Sequence, residues 1–434
     1  MWVKPMIKII DLNKENVDID TLISPSQFDM EEVNDSVKEI VNDVKIKGDE
    51  ALSLYTEKFD KASLNTFLVT KETINQAYES ASNDLINALK EAKENIEAYH
   101  KKQGFKPFEM KKDDGIILGQ KVTPIEKVGL YIPGGSAAYP STVLMNAIPS
   151  KIAGVKKTIM ITPPDAFGNV NPTLLVAAKI TGVDAIYKIG GAQGIAALAY
   201  GTEQIPKVDK IVGPGNIYVS MAKKLVSGHV GIDMIAGPSE ILIIGDESAD
   251  PEFIAADLMS QAEHDILASA ILLTPSLKLA SDVKEALKRR VKEEKRRSII
   301  ERSINDLGKI IVTDSLKTCI EISNRMAPEH LEIITVDPFD ILKDIQNAGS
   351  IFLGAYAPEP LGDYYAGPNH TLPTSGTARF SSPLSTSDFQ KKSSYMYYSK
   401  KAFQKASQPV RTLANAEGLY AHANSINVRL KGEK

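Results

Sequence analysis

Between about residues 119 and 353, nine short apolar runs alternate with amphipathic stretches of ten or more residues: VGLYI, KTIMIT, AIYKI, DKIV, ILIIG, AILLT, KIIVT, LEIIT and SIFLG. Strand and helix in alternation build βαβ units, and such units close into a largely parallel sheet covered by helices. Nine strands exceed one small domain, so the pattern predicts two α/β domains.

Ahead of this region, Val33, Val37, Ile40, Val41 and Val44 fall on one helical face and Gly48 follows as a stop. Leu85, Ala88, Leu89, Ala92, Ile96 and Tyr99 mark a second, longer helix. The first hundred residues are therefore expected to be mostly helical. They need a sheet to pack on, which points to one discontinuous domain with the other inserted into it. After the loop SSPLSTSDF, the last fifty residues carry YMYYS and a helical pattern ending AEGLYAHANSINVRL. That is too little to bury a core, so this tail is expected to dock on something else.

Composition narrows the function classes. Of 434 residues 43% are hydrophobic and 24% charged, with a net charge of -4, so the chain lacks the basic field that holds a polyanion, and nucleic acid is excluded as a partner. A single cysteine, Cys319, rules out an internal disulfide and fits a reducing compartment. The N-terminal stretch has neither an apolar signal core nor a small-residue cleavage site, and no run approaches a membrane span, so a cytoplasmic protein with no membrane partner is expected.

Three predicted strand ends run into glycine-rich turns, in VGLYIPGGSAAYPS, KIGGAQGIAALAYG and VDKIVGPGNIYVSMAKK. None is a G-x-G-x-x-G or a P-loop, and each alone is equally an ordinary loop. Their succession suggests one ligand crevice at the carboxyl edge of a sheet, where backbone N–H groups face an anion.

The chain has six histidines. His100 and His229 read as solvated or hydrogen-bonded bystanders. His264 closes the helix PEFIAADLMSQAEH three residues after Gln261, on the same face. GDYYAGPNH offers Asp363 and His370, and AEGLYAH offers Glu417 and His422. Histidine and aspartate are ordinary zinc ligands and an amide oxygen an unusual one, but these segments are far apart in sequence. In RMAPEHLEII, Glu329 and His330 stand side by side at the start of a strand expected over 331–335. They read either as a surface pair or as an acid–base couple.

Taken together, VGLYIPGG, GGAQGIAALAYGTE, VDKIVGPGN, AGPSE, DLMSQAEHD, APEHLEI, GDYYAGPNHTLPT and AEGLYAHA resemble, in order and from about residue 30 to 430, the histidinol dehydrogenase family. The resemblance implies a zinc enzyme that oxidises L-histidinol to L-histidine with two NAD+, closing histidine biosynthesis. It implies two incomplete Rossmann-like α/β domains of parallel βαβ units, a helical N-terminal region and an extended C-terminal tail domain. The corresponding division is an arm over 1–25, a main domain over 26–130 plus 239–384, an NAD-binding domain over 131–238 and a tail over 385–434. Gln261, His264, Asp363 and His422 match the zinc ligands, one ion per subunit. Glu329 and His330 match the catalytic pair, and Tyr131, Gln193 and Asn216 the cofactor contacts. Ser239 and Glu417 match substrate contacts, joined by His330 and the four metal ligands. Family members are homodimers whose tails reach into the partner's active site. The role of His370 stays open.

Oxidising an alcohol to a carboxylate removes two hydrides with a hydration between them. An imidazole near its ordinary pKa of about 6.5 can take the hydroxyl proton, which suits His330, and a carboxylate can deprotonate water beside the aldehyde, which suits Glu329. Zinc is expected to position the substrate's imidazole and amine. Three rivals stand beside this reading. One is a thiohemiacetal route through Cys319, whose place on a predicted packed helix argues against an activated thiol. The others are a metallohydrolase and a non-catalytic binder of a small ligand.

Overall fold

The computed structural model describes residues 7–15, 17–23, 30–134 and 138–431, the side chains of 30–32 excepted. The chain divides into two compact units, Met1–Gln103 with Ile125–Phe389, and Gly104–Pro124 with Gln390–Lys434.

The larger unit holds two parallel sheets. In the first, six strands lie in the order Lys8–Asp11, Lys309–Val312, Ser269–Thr274, Glu240–Gly245, His330–Ile334, Ser350–Leu353. In the second, five lie in the order Ala185–Lys188, Lys157–Thr162, Lys127–Tyr131, Lys210–Val212, Gly231–Ile232. All nine expected strands are among them. Both sheets wind alike: from a central strand the chain steps outward twice on one side, then crosses to the other. The crossing points are Glu240–Gly245 beside His330–Ile334 and Lys127–Tyr131 beside Lys210–Val212. Such a reversal leaves a crevice between adjacent strand ends.

Continuous apolar strands follow from cover on both faces. Along Glu240–Gly245, Ile241 and Ile243 enter one core while Leu242 and Ile244 enter the opposite one. In the five-stranded sheet, Ile159 and Ile161 pack with the helix Met30–Lys47, whereas Met160 packs with Asn83–His100. The N-terminal helices thus cover both faces of that sheet. Short strands supply what periodicity does not signal. Lys8–Asp11, within the segment read as an arm, is an edge strand paired with Lys309–Val312; residues 1–6, 16 and 24–25 of that segment lie outside the described residues.

Of the two bystander histidines, His100 is the buried kind; its carbonyl accepts from Thr386 Oγ1 at 2.8 Å and Asn369 Nδ2 faces its Nε2 at 3.5 Å.

In the smaller unit the tail strand Gln390–Tyr398 pairs antiparallel with Ile116–Pro124, which pairs in turn with Phe108–Lys112. The helices Lys400–Ala416 and Tyr420–Lys431 follow. Tyr395 lies opposite Gly119 with its ring where a Cβ would sit, and its hydroxyl donates to Glu109 at 2.9 Å. Among the described residues no helix is long and apolar enough to cross a membrane.

Candidate active site

The helix Leu316–Met326 ends at Ala327, which adopts φ +52°, an uncommon conformation for a residue with a Cβ. Pro328, which has no N–H to continue the helix, follows, and Glu329 and His330 come next, at the amino end of their strand. The backbone is held at once: Gly349 N–H donates to Pro328 O and Ser350 N–H to Glu329 O, both at 2.9 Å. Both side chains are buried, so the surface-pair reading fails.

His330 Nδ1–H donates to the Glu240 carbonyl at 2.9 Å, while Glu329 accepts from Glu240 N–H at 2.8 Å. One residue of the neighbouring strand therefore orients both members of the couple. Glu329 Oε2 lies 3.5 Å from His330 Nδ1. Fixing Nδ1 leaves Nε2 for chemistry, and it faces Asp363 Oδ1 at 3.8 Å.

Asp363 sits in a π-helical turn, Gly362–Ala366, a wide turn that recurs at functional sites. Gln261 arrives from the carboxyl end of the helix Pro251–Ala262, which runs back to the amino edge where Ser269–Thr274 begins. His264 and Ser239 lie on the loops at this edge. Gln261 is fully buried, yet neither its amide oxygen nor its nitrogen is hydrogen-bonded. The two nitrogens of His370 are engaged, with the Asp363 carbonyl at 3.0 Å and with Thr142 Oγ1 at 3.2 Å.

The electrostatics are those of a crowded acidic pocket. Burial pushes Glu329 up to about 7, against the pull of His330. Burial pushes Glu240 up to about 8, with Glu329 adding to it. Burial would lower His330, but Glu329, Asp363 and Glu359 outweigh it and carry it to about 10. The carboxylates facing the ring therefore favour its protonated form. Burial also works against ionisation of Asp363, yet His330 and His370 hold it well below the usual carboxylate range. Burial lowers His264 and His370.

These donors suit a divalent cation: an ionised carboxylate, imidazoles biased to the neutral form, and a buried amide with no partner. Among the described residues the ligand atoms of His330, Glu359 and Asp363 lie within 4.8 Å of one another. This trio has Asp363 in common with the ligand set expected from sequence, Gln261, His264, Asp363 and His422. Glu417 and His422 belong to the smaller unit, and both are exposed.

Sequence reasoning missed the acids behind the couple. Glu332, two residues after His330 on the same strand face, accepts from Glu359 N–H at 2.7 Å, and Glu359 accepts from Ser260 Oγ at 3.2 Å. Burial pushes Glu359 up to about 8, with Asp363 adding to it. An acid inside an otherwise apolar parallel strand was the available signal for Glu240 and Glu332.

The candidate cofactor residues gather at the carboxyl edge of the five-stranded sheet. Tyr131 ends its central strand, buried, with its hydroxyl accepting from Gly191 N–H at 3.3 Å. Gln193 is buried in the helix Gly191–Tyr200, and exposed Asn216 caps Ile217–Val226 by accepting from Val219 N–H at 3.2 Å. The three glycine-rich turns all lie at this edge, although residues 135–137 of the first are outside the described residues. A cavity of about 790 Å³ opens beside the first of them, lined among others by Gly134, Thr162, Asp165 and Lys188; Tyr131, Gln193 and Asn216 are not in its lining.

A family model described as histidinol dehydrogenase matches residues 24–430. The chain belongs to the histidinol dehydrogenase family. It is accordingly an oxidoreductase. The histidinol dehydrogenase of Clostridium acetobutylicum is 61% identical over 400 residues, 92% of this chain and 93% of the relative. That of Streptococcus mutans is 52% identical over 420 residues, 97% and 95% of the two chains. The crystal structure of histidinol dehydrogenase from Elizabethkingia anophelis superposes with a TM-score of 0.94 at 40% identity and covers 98% of each chain. The fold of parallel βαβ sheets is thus that of the histidinol dehydrogenases.

Proposed function

We propose that the chain catalyses the NAD+-dependent four-electron oxidation of L-histidinol to L-histidine through L-histidinal, the last step of histidine biosynthesis, in the cytoplasm. The observation that carries this reading is the buried Glu329–His330 couple, oriented by one backbone unit of Glu240 and facing Asp363, in a chain of this family.

His330 takes the alcohol proton at Nε2, since Nδ1 is committed to the Glu240 carbonyl. Asp363 would hold a cation whose charge would oppose the carboxylate field at His330, and the ring would then accept a proton at neutral pH. Glu329, pushed up to about 7, ionises near neutral pH and deprotonates the water that adds to the aldehyde. Burial of both groups keeps bulk water from competing.

Gln261, His264, Asp363 and, from the partner subunit, His422 would hold one zinc per subunit, which positions the substrate's imidazole and amine. Ser239 and Glu417 complete the substrate contacts. NAD+, consumed twice per substrate, accepts each hydride, and Tyr131, Gln193 and Asn216 shape its crevice. The division into an arm over 1–25, a main domain over 26–130 plus 239–384, an NAD-binding domain over 131–238 and a tail over 385–434 belongs to the same reading. So does a homodimer with exchanged tails: Met396, Leu413 and Tyr420 of the smaller unit are large apolar side chains left exposed in the single chain. The thiohemiacetal rival is disfavoured, because Cys319 is fully buried and burial pushes its thiol up to about 11.

The test is the NADH formed per L-histidinol consumed, with and without a chelator. A ratio near two, abolished by chelation and restored by zinc, is expected. Turnover that survives complete removal of metal would sink the zinc assignment, and no NADH at all would sink the reaction.

A further inference from the structure

The turn Gly213–Pro214–Gly215–Asn216 stands at the crossing point of the five-stranded sheet, between the ends of Lys127–Tyr131 and Lys210–Val212. Its first peptide is clamped from three directions. Gly213 has φ +116°, and a Cβ there would lie 2.1 Å from the Tyr131 carbonyl oxygen. Its N–H donates to Asp233 Oδ2 at 2.7 Å, and its carbonyl accepts from Lys223 Nζ at 3.0 Å. Lys223 and Asp233 form an ion pair with each other, their side chains 2% and 1% exposed. Met234 N–H adds a third hydrogen bond to Asp233 at 2.6 Å.

A lysine and an aspartate this deep are unusual, because each must surrender its hydration, and a buried pair of this kind is often replaceable by apolar residues without loss of stability. Here the pair grips both polar groups of one glycine peptide, and each charge comes from a different element: Lys223 from the helix Ile217–Val226, Asp233 from the end of Gly231–Ile232. The strand end, the helix that Asn216 caps and the next strand end are tied into one rigid corner. Neither charge faces outward, so neither is free to bind a ligand.

We infer that Lys223 and Asp233 are positioning residues that preorganise the Gly213–Asn216 turn, and with it Asn216 and the helix N-terminus, for the dinucleotide. This rests on the reading of that crevice as the NAD+ seat. The pair lies at the other sheet from Glu329 and His330, so it acts on cofactor binding and leaves the proton-transfer groups in place.

The test is Lys223→Met combined with Asp233→Leu, with thermal melting and circular dichroism to show a folded protein. The expected result is a KM for NAD+ raised about tenfold or more, with the KM for L-histidinol and kcat at saturating NAD+ within about twofold of the parent. A purely structural role would instead lower the active fraction, reducing kcat with both KM values unchanged, and that outcome overturns the inference. Should the double variant not fold, Asp233→Asn keeps an acceptor for Gly213 N–H while removing the charge. A rise in the NAD+ KM of about threefold or more supports the inference, and a smaller change overturns it. Titration of the unsubstituted protein with NAD+ separates the two levels. If it binds none, the reading of the crevice falls; if it binds and the variants bind equally well, only the positioning role falls.

Discussion

The proposed reaction gives Glu329 and His330, adjacent in the chain, different work, and their hydrogen bonds are compatible with that division. Neighbours along a strand point to opposite faces, yet Glu329 precedes the strand and turns back to Glu240 N–H while His330 reaches the carbonyl of the same residue. Glu329→Gln preserves shape and loses the base. Single turnover of L-histidinol should then stop near one NADH per substrate, with the aldehyde step slowed about 100-fold or more and the alcohol step largely retained. Equal loss of both steps would contradict the division of labour. A second residue governs acid stability. Burial depresses His100 to about 4, so the folded protein keeps it neutral where the unfolded chain takes up a proton. The stability this preserves is complete above pH 6.5 and drains away as pH falls towards 4, by roughly 3 kcal/mol in total. His100→Gln should flatten the denaturation midpoint against pH between those values; an unchanged slope would rule the residue out as the source. The adjacency of the couple was legible in sequence, but its orientation was not, because it depends on a backbone unit 90 residues away. Of the carboxylates that raise His330, Glu329 is its neighbour in the chain, whereas Glu359 and Asp363 come from a separate segment that local pattern does not link to it.

Among elements, those read most directly were strands covered on both faces, since burial on both sides writes an unbroken apolar run into the sequence. Glu240–Gly245 and Ser269–Thr274 are examples, buried at every position. Lys8–Asp11, at an edge, and the two-residue Gly231–Ile232 leave no such mark. Pairing of Gln390–Tyr398 with Ile116–Pro124 was equally illegible, because local pattern does not name a partner hundreds of residues away. The π-turn Gly362–Ala366 matters most for function. His370 braces it by engaging the Asp363 carbonyl with one nitrogen and Thr142 with the other. These two hydrogen bonds are what a supporting role for His370 would rest on. His370→Asn should weaken zinc retention against a competing chelator by about 10- to 100-fold, with kcat recovering when zinc is in excess. Unchanged retention would show that the turn holds its shape without the imidazole.

At the scale of the whole molecule, the proposal draws each active site from two subunits. Glu417 and His422, assigned to substrate and zinc, lie on the smaller unit and are exposed. If each tail serves the partner, a subunit carrying His422→Asn and one carrying Glu329→Gln repair each other in a mixed dimer. Co-refolding the two inactive variants in equal amounts should recover about a quarter of parental activity, because half the dimers are mixed and one of their two sites is intact. No recovery, with mixed dimers demonstrated, would place each tail in its own subunit's site. The six-stranded sheet adds a constraint of another kind. His330 is flanked in register by Ile241 and Ser350, so its backbone lies in the sheet interior, where amide protons exchange with solvent only when the fold as a whole opens. The side chain proposed to transfer the proton thus stands on backbone paired on both sides. Under that reading, substrate entry and product departure fall to the segments around it, where the pace of turnover can be tuned without disturbing the imidazole.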